Sequence, residues 1–373
     1  MALASRDASQ ARPAGSDGAL GNTGRPASHV GDATAGDQDS MSRYYPALAV
    51  VTAIGTYLLI VVGGIVRVSG SGLGCPDWPT CHGQLVPPLE ATAIVEYSHR
   101  LLGAIVSPLI LATTLGAWLF RRRQPALLVT ATLAPVLLAI QIVLGAIVVR
   151  LELPAMVVLV HLLFALVILA LLIWTAMLAL PAPRAARPPA PGWRRGPLVA
   201  LTHATTAALF VLLIVGAYVL ATGAGYACVG FPGCNGEALP FGSSRLVDLH
   251  LTHRLLAYVV AALVAVILVQ AWRGWRWLPA VPWAATALAV CVALQIAIGA
   301  TAVSTGLPAV VRGLHLAGAA AVWASATVLV CLLTRARGLG APAAADVEAA
   351  RNGHVRAGSL RAAETMLRAE RGS

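Results

Sequence analysis

Eight stretches of this chain are long and apolar enough to cross a lipid bilayer, and no other feature narrows its architecture so far. They run near 45–66, 91–118, 126–149, 154–180, 197–221, 247–271, 281–302 and 309–333. About 20 apolar residues in a helix span the hydrocarbon core, where every backbone N–H and C=O must be bonded within its own segment. Composition agrees: of 373 residues, 58% are hydrophobic and only 11% charged, with a mean hydropathy of +0.79. A soluble domain carries roughly 25% charged residues. The net charge of +11 is not a nucleic-acid footprint, because the arginines lie in short connections between apolar runs. The expected fold is therefore an all-α membrane protein with eight transmembrane helices.

Those arginines also orient the chain. Arg121, Arg122 and Arg123 follow the second span, Arg184, Arg187, Arg194 and Arg195 the fourth, Arg273 and Arg276 the sixth, Arg335 and Arg337 the eighth. The other connections carry only Arg67, Arg150 and Arg245 near helix ends. The positive-inside rule then puts both termini in the cytoplasm and the cysteine-containing loops outside. Trp174, Trp272, Trp275 and Trp277 fit an aromatic belt at the cytoplasmic ends. Residues 1–42 are polar, contain no apolar stretch, and read as a disordered cytoplasmic leader rather than a signal peptide. Residues 336–373 read as a cytoplasmic tail.

The chain is also internally repeated. EYSHRLLG from Glu96 matches HLTHRLLA from His250, QIVLGAIVV from Gln141 matches QIAIGATAV from Gln295, and HLLFA from His161 matches HLAGA from His315, all at an offset of 154. Cys75 and Cys81 match Cys228 and Cys234 at 153, so one residue is gained in the second loop. Four helices per copy leave both copies in the same orientation. Two tandem four-helix bundles, 43–180 and 197–335 with a cytoplasmic linker at 181–196, should be related by a pseudo-twofold axis along the membrane normal.

A lone histidine in an apolar helix is more often a hydrogen-bonded packing residue than a ligand. Four together read differently. His99, His161, His253 and His315 each stand about six to eight residues inside the outer end of their helix, roughly 9–12 Å deep at 1.5 Å per residue. Within each half the two imidazoles lie on parallel helices at one height, the arrangement a haem iron with two axial histidines needs. Zinc would want four clustered ligands, whereas these histidines are 62 residues apart with small and aliphatic neighbours. Gln141 and Gln295 fall at the same level as second-layer partners. His203, near the cytoplasmic end of its helix, reads as structural, and Cys291 and Cys331 as packing residues.

Both Cys pairs lie in loops on the side where disulfides persist. Cys75–Cys81 and Cys228–Cys234 read either as staples over the pockets or, for the first pair, as participants in redox chemistry or cofactor handover. Neither is a CxxCH attachment site. The copies differ most at Glu96, three residues before His99, whose counterpart is His250. A carboxyl group at this depth is expensive without a task, which marks the N-terminal pocket as the reaction chamber; the plainer reading is an interfacial residue favoured by the helix dipole. Arg67, Arg100 and Arg254 are candidate partners for haem propionates, and His250 a second-layer donor.

Over roughly residues 45–335 the chain resembles the haem A synthases of bacterial type. The resemblance rests on GGIVRVSGSGLGCPDWPTCHG, EYSHRLLG and QIVLGAIVV, and on the repeated Cys and His positions of the second half. It implies an oxidoreductase acting on a CH group, converting haem O to haem A for cytochrome oxidase. Two successive hydroxylations of a ring methyl, then loss of water, would leave a formyl group. It further implies that His99 and His161 bind the substrate haem O, that Glu96 assists the oxidation, and that His253 and His315 hold a haem b that passes electrons. Cys75 and Cys81 would be the functionally important pair. Implied surroundings are the bacterial plasma membrane, haem O synthase and cytochrome oxidase assembly components as partners, and no nucleic acid; a homo-oligomer is compatible with it. The competing readings are a di-haem electron-transfer cytochrome, which has no use for Glu96, and a repeat-built transporter, which would favour broken helices at the midplane.

Overall fold

The structure, a computed structural model, describes residues 30–185 and 196–336, with side chains from Ser42 onward. The leader before Val30, the linker residues 186–195 and the tail from Arg337 lie outside the described residues. Among the described residues the chain forms α1 (Val30–Val68), α2 (Ala91–Phe120), α3 (Pro125–Arg150), α4 (Ala155–Ala179), α5 (Gly196–Thr222), a 3-10 turn (Ala224–Tyr226), α6 (Arg245–Gly274), α7 (Ala280–Ser304) and α8 (Ala309–Ala336). All eight helices are long and apolar enough to cross a membrane, the first over Ser42–Val68. Contacts divide the chain into Met1–Met41 and Ser42–Ser373.

Two expectations change. Helix α1 begins at Val30, so the last residues of the expected disordered leader are helical; once a span is nucleated, propagation adds one hydrogen bond per residue. Trp275 and Trp277, expected in an interfacial belt, are instead buried and stacked with ring centroids 5.6 Å apart. The short α6–α7 connection is closed by backbone bonds from Leu278 to Trp275 and from Val281 to Leu278.

Sequential helices pack as neighbours: α2 on α3, α3 on α4, α5 on α6, α6 on α7, α7 on α8. Helices α4, α5 and α8 also meet one another, which joins the two halves. Helix α8 is the most enclosed, with 56% of its span buried against 17% for α3, α5 and α7. The exposed faces carry side chains such as Leu111, Leu115, Val129, Val136, Val259 and Val266. In water such faces would be a liability; in lipid they are what the solvent requires. Inside, threonines tie helices together: Thr52 and Thr113 hydroxyls lie 2.8 Å apart between α1 and α2.

Backbone detail repeats with the sequence. Trp118 donates to Thr132 and Trp272 to Thr286, both at 3.0 Å. Trp78–Pro79 and Phe231–Pro232 are both cis. Helices α3 and α7 each end on a leucine in the left-handed region, Leu153 (φ 63°) and Leu307 (φ 61°). Their N–H groups bond back to Val148 and Ala302 at 2.8 and 2.7 Å, closing orphan carbonyls as a Schellman turn does. A proline then starts the next helix. The bridges Cys81–Gln84 and Cys234–Glu237 keep the offset at 153, while the starts of α2 and α6 are 154 apart. The gained residue therefore lies between Glu237 and Arg245.

Candidate functional site

Each of the four histidines packs against a glycine of the preceding helix. A Cβ added at Gly63 would stand 2.8 Å from Cε1 of His99, at Gly145 3.3 Å from that of His161, at Gly216 2.9 Å from that of His253, and at Gly299 2.9 Å from that of His315. Only a residue without a side chain lets an imidazole lie this close to a helix backbone. The pairing joins α1 to α2, α3 to α4, α5 to α6 and α7 to α8, so every helix contributes one half of a histidine–glycine contact. His99 and His253 are the ninth residues of their helices, His161 and His315 the seventh, which puts them at matched depth.

All four Nδ1 atoms are buried without a hydrogen-bond partner. The backbone carbonyls of Leu59 and Gln295, one turn before the glycines, face the His99 and His315 rings. An Nδ1–H turned toward such a carbonyl leaves Nε2 as the ligating atom. His161 lies within Coulombic range of His99, and His253 of His315. Gln141 and Gln295 donate from Nε2 to the backbone carbonyls of His161 and His315 at 2.9 and 2.8 Å. Among the described residues no three His, Cys, Asp or Glu side chains cluster as a metal site. Paired imidazoles with unspent buried nitrogens fit a planar group ligated on both faces.

His253 and His315 line one cavity with aliphatic walls. Ile60 and Val68 of α1 and Leu162 and Leu166 of α4 share that lining, so the N-terminal half helps wall the C-terminal site. Two cations reach the cavity, Arg254 and Arg312.

Over the helix ends nearest the histidines lie the two cysteine loops, closed by Cys75–Cys81 and Cys228–Cys234 disulfides. Each is clamped by the arginine that follows a candidate ligand. Arg100 donates to the carbonyls of Cys75, Asp77 and Thr80 at 2.8, 2.7 and 2.6 Å. Arg254 donates to Cys228 at 3.0 Å and Gly233 at 2.5 Å, with Pro232 at 3.5 Å. Both guanidiniums, expected as propionate partners, are engaged with loop backbone. In the first loop Asp77 accepts from Thr80 Oγ1 and from the His82 and Gly83 N–H groups. Chiefly the Thr80 hydrogen bond, with those backbone donors, holds its carboxyl down at about 2.

Glu96 is buried, 4% exposed. Its Oε2 accepts from the Cys75 N–H at 2.9 Å and its Oε1 pairs with Arg100 at 2.5 Å. The carboxylate thus joins the disulfide loop to the helix that carries His99. Its counterpart His250, expected near the surface, is 5% exposed, with Nδ1 3.1 Å from the Ala224 carbonyl. Arg67 is half-buried and makes no side-chain hydrogen bond among the described residues. His203 sits 2.7 Å from the Val199 carbonyl on its own helix. Cys331 is buried, and Cys291 lies 3.6 Å from the Ser325 hydroxyl.

Sequence reasoning missed the four glycines and Arg312. Gly145 and Gly299 were visible within the repeated segments at the offset of the histidines, 154, and Gly63 and Gly216 repeat at the 153 of the cysteines; asking what a ligand ring would pack against points to them. Arg312 has valine at the matching N-terminal position, Val158, and asymmetry was its only signal.

Comparison with known proteins adds a further finding. Residues 46–327 match the family COX15-CtaA, described as "Cytochrome oxidase assembly protein". Among individual relatives, "Heme A synthase" of Shouchella clausii is 27% identical over 257 residues, covering 67% of this chain and 81% of the relative. "Heme A synthase" of Alkalihalophilus pseudofirmus is 26% identical over 296 residues, covering 77% and 96%. That of Halalkalibacterium halodurans is 27% identical over 297 residues, covering 79% and 99%.

Proposed function

The chain belongs to the COX15-CtaA family of cytochrome oxidase assembly proteins, and on that premise we propose that it is a haem A synthase. It oxidises the ring methyl of haem O to a formyl group by successive hydroxylations, making haem A for cytochrome oxidase. The observation that carries this reading is the set of four half-buried histidines, each ring packed on a glycine and each Nδ1 buried and unpartnered, in two pairs at matched depth.

His99 and His161 hold the substrate haem O; His253 and His315 hold haem b, which when bound supplies a one-electron redox centre. The glycines fix the plane of each imidazole, and Gln141 and Gln295 tie the α3 and α7 helices to the ligand-bearing turns of α4 and α8. Leu153 lies against Gly72 of the first outer loop, and Leu307 against Gly225 of the second, which helps keep water from the pockets. Glu96 acts beside the substrate haem. Its Oε2 accepts the Cys75 N–H, which couples the carboxylate to the position of the Cys75–Cys81 loop. Arg100 holds Oε1 in place meanwhile. His250 cannot do this; it is held by the Ala224 carbonyl and does not contact the loop cysteines.

The two halves form tandem four-helix bundles about a pseudo-twofold axis along the membrane normal. In the bacterial plasma membrane both termini face the cytoplasm and the Cys loops face outward. Haem O synthase is the expected upstream partner and cytochrome oxidase assembly components the downstream ones.

The test is expression in a host that makes haem O but no haem A, followed by extraction and chromatography of the haems. Haem A should appear with this chain and be absent without it. A folded, haem-loaded protein that yields no formyl or hydroxymethyl product overturns the assignment and leaves a di-haem electron carrier.

A further inference from the structure

We propose that Arg312 binds a propionate of the haem held between His253 and His315, and that this contact makes that haem the resident one. The inference rests on the haem-binding reading above and deepens it.

Two cations line the C-terminal cavity, and they are not equivalent. Arg254 donates to the carbonyls of Cys228 and Gly233 and serves the outer loop. The Arg312 guanidinium makes no hydrogen bond among the described residues, and its Nε is buried without a partner. A buried guanidinium nitrogen left unpaired is costly, so a fold that keeps one in a cavity wall has an anion to meet there.

Position supplies the anion's identity. Arg312 is three residues before His315, on the same face of α8 and one turn nearer the outer end. The ligand at His315 Nε2 and the anion at Arg312 therefore belong to one molecule: a metalloporphyrin whose carboxylate edge faces outward. Arg312 also lies in the first turn of α8, where the helix dipole favours negative charge.

The N-terminal half has no cation at this register, since Val158 occupies the matching position. Its own unmatched arginine, Arg67, ends α1 and is not part of the C-terminal cavity lining. A synthase must release one haem as product and retain the other, and an arginine clamp on one side only is a direct way to separate those fates.

The test uses purified full-length protein loaded with haem b, with haem loss followed by transfer to excess apomyoglobin. Arg312→Gln should release the C-terminal haem roughly ten- to a hundredfold faster, the loss expected for one charge-assisted hydrogen bond. Its midpoint potential should fall, because a nearby positive charge favours the reduced iron less once removed. Arg312→Lys should recover most of both effects. Loading with haem dimethyl ester, whose propionates carry no charge, should abolish the difference between wild type and Arg312→Gln. Equal off-rates and potentials for wild type and Arg312→Gln overturn the proposal, as does a defect that persists with the dimethyl ester. A His253→Ala variant that loses no haem overturns the haem site itself, a result distinguishable from the other two.

Discussion

The four histidine–glycine contacts set the tolerance of both pockets. Adding one methyl group at Gly63 or Gly216 drives it to within 2.8 or 2.9 Å of an imidazole carbon, so the ring must tilt or the helices must part. Overpacking of this kind costs about 1–3 kcal/mol. Gly216→Ala should therefore weaken haem binding at His253–His315 by roughly tenfold or more and leave the His99–His161 site intact. Gly63→Ala should do the reverse, and haem stoichiometry with low-spin absorption spectra distinguishes the two. Glu96 makes a second residue-scale case. Glu96→Gln keeps the Cys75 contact but removes the negative charge facing Arg100, so conversion of haem O should fall at least tenfold while haem content is retained, as read by haem chromatography on the variant. An unchanged yield of haem A would remove the assigned role of this carboxylate.

The two cysteine loops are each held by an arginine and, in the first, from within by an aspartate as well. Asp77 has its carboxyl lowered from 3.8 to about 2, so its contribution to loop stability is complete above about pH 4 and is lost only as the pH falls through about 2. Amide exchange at His82 and Gly83 should stay slow as the pH drops through 4 in wild type. In Asp77→Asn it should be faster at every pH above about 2, and equal rates in the two proteins over that range would show that the carboxylate does not order this loop. The arginine clamps predict a different signature. Arg254→Gln frees the carbonyls of Cys228 and Gly233 and should raise exchange across 228–236 by roughly tenfold or more, each lost charged hydrogen bond being worth about 1.5–3 kcal/mol. The Cys75–Cys81 loop should be unaffected by that variant.

Across the whole molecule the halves are repeated but not independent. Trp323 of α8 donates to the Leu166 carbonyl of α4 at 2.8 Å and packs against Phe210 of α5 at 5.2 Å between centroids. Arg335 of α8 reaches the carbonyls of Met177 and Leu180 at the end of α4. Trp323→Phe should cost about 0.6 kcal/mol, the mean for an interhelical hydrogen bond in a membrane. Trp323→Ala should cost about 3–5 kcal/mol. Thermal unfolding in detergent reads both. Because Leu162 and Leu166 also wall the C-terminal cavity, the alanine variant should in addition lose haem from His253–His315. A Tm drop with no change in haem retention would separate the seam between the halves from the site.

Much of this was legible in the sequence, because bilayer solvent imposes simple rules on it. Eight apolar runs became eight helices among the described residues, with ends within a few residues of those expected except for the start of α1 at Val30, since an apolar segment in lipid has no alternative to helical hydrogen bonding. The repeat at 153 and 154 marked the histidines, the glutamines and the cysteines. What each side chain touches was decided only by tertiary packing. Arg100 and Arg254 sit one residue from candidate haem ligands and still point into loop backbone, because the loop carbonyls converge there once each disulfide loop folds over the helix ends. Arg312 gave no repeat signal, and its unpartnered nitrogen exists only in the assembled cavity. The length of an apolar run determines which segments enter the membrane; the sharing of hydrogen-bond partners among buried charges depends on distances that only the folded chain creates.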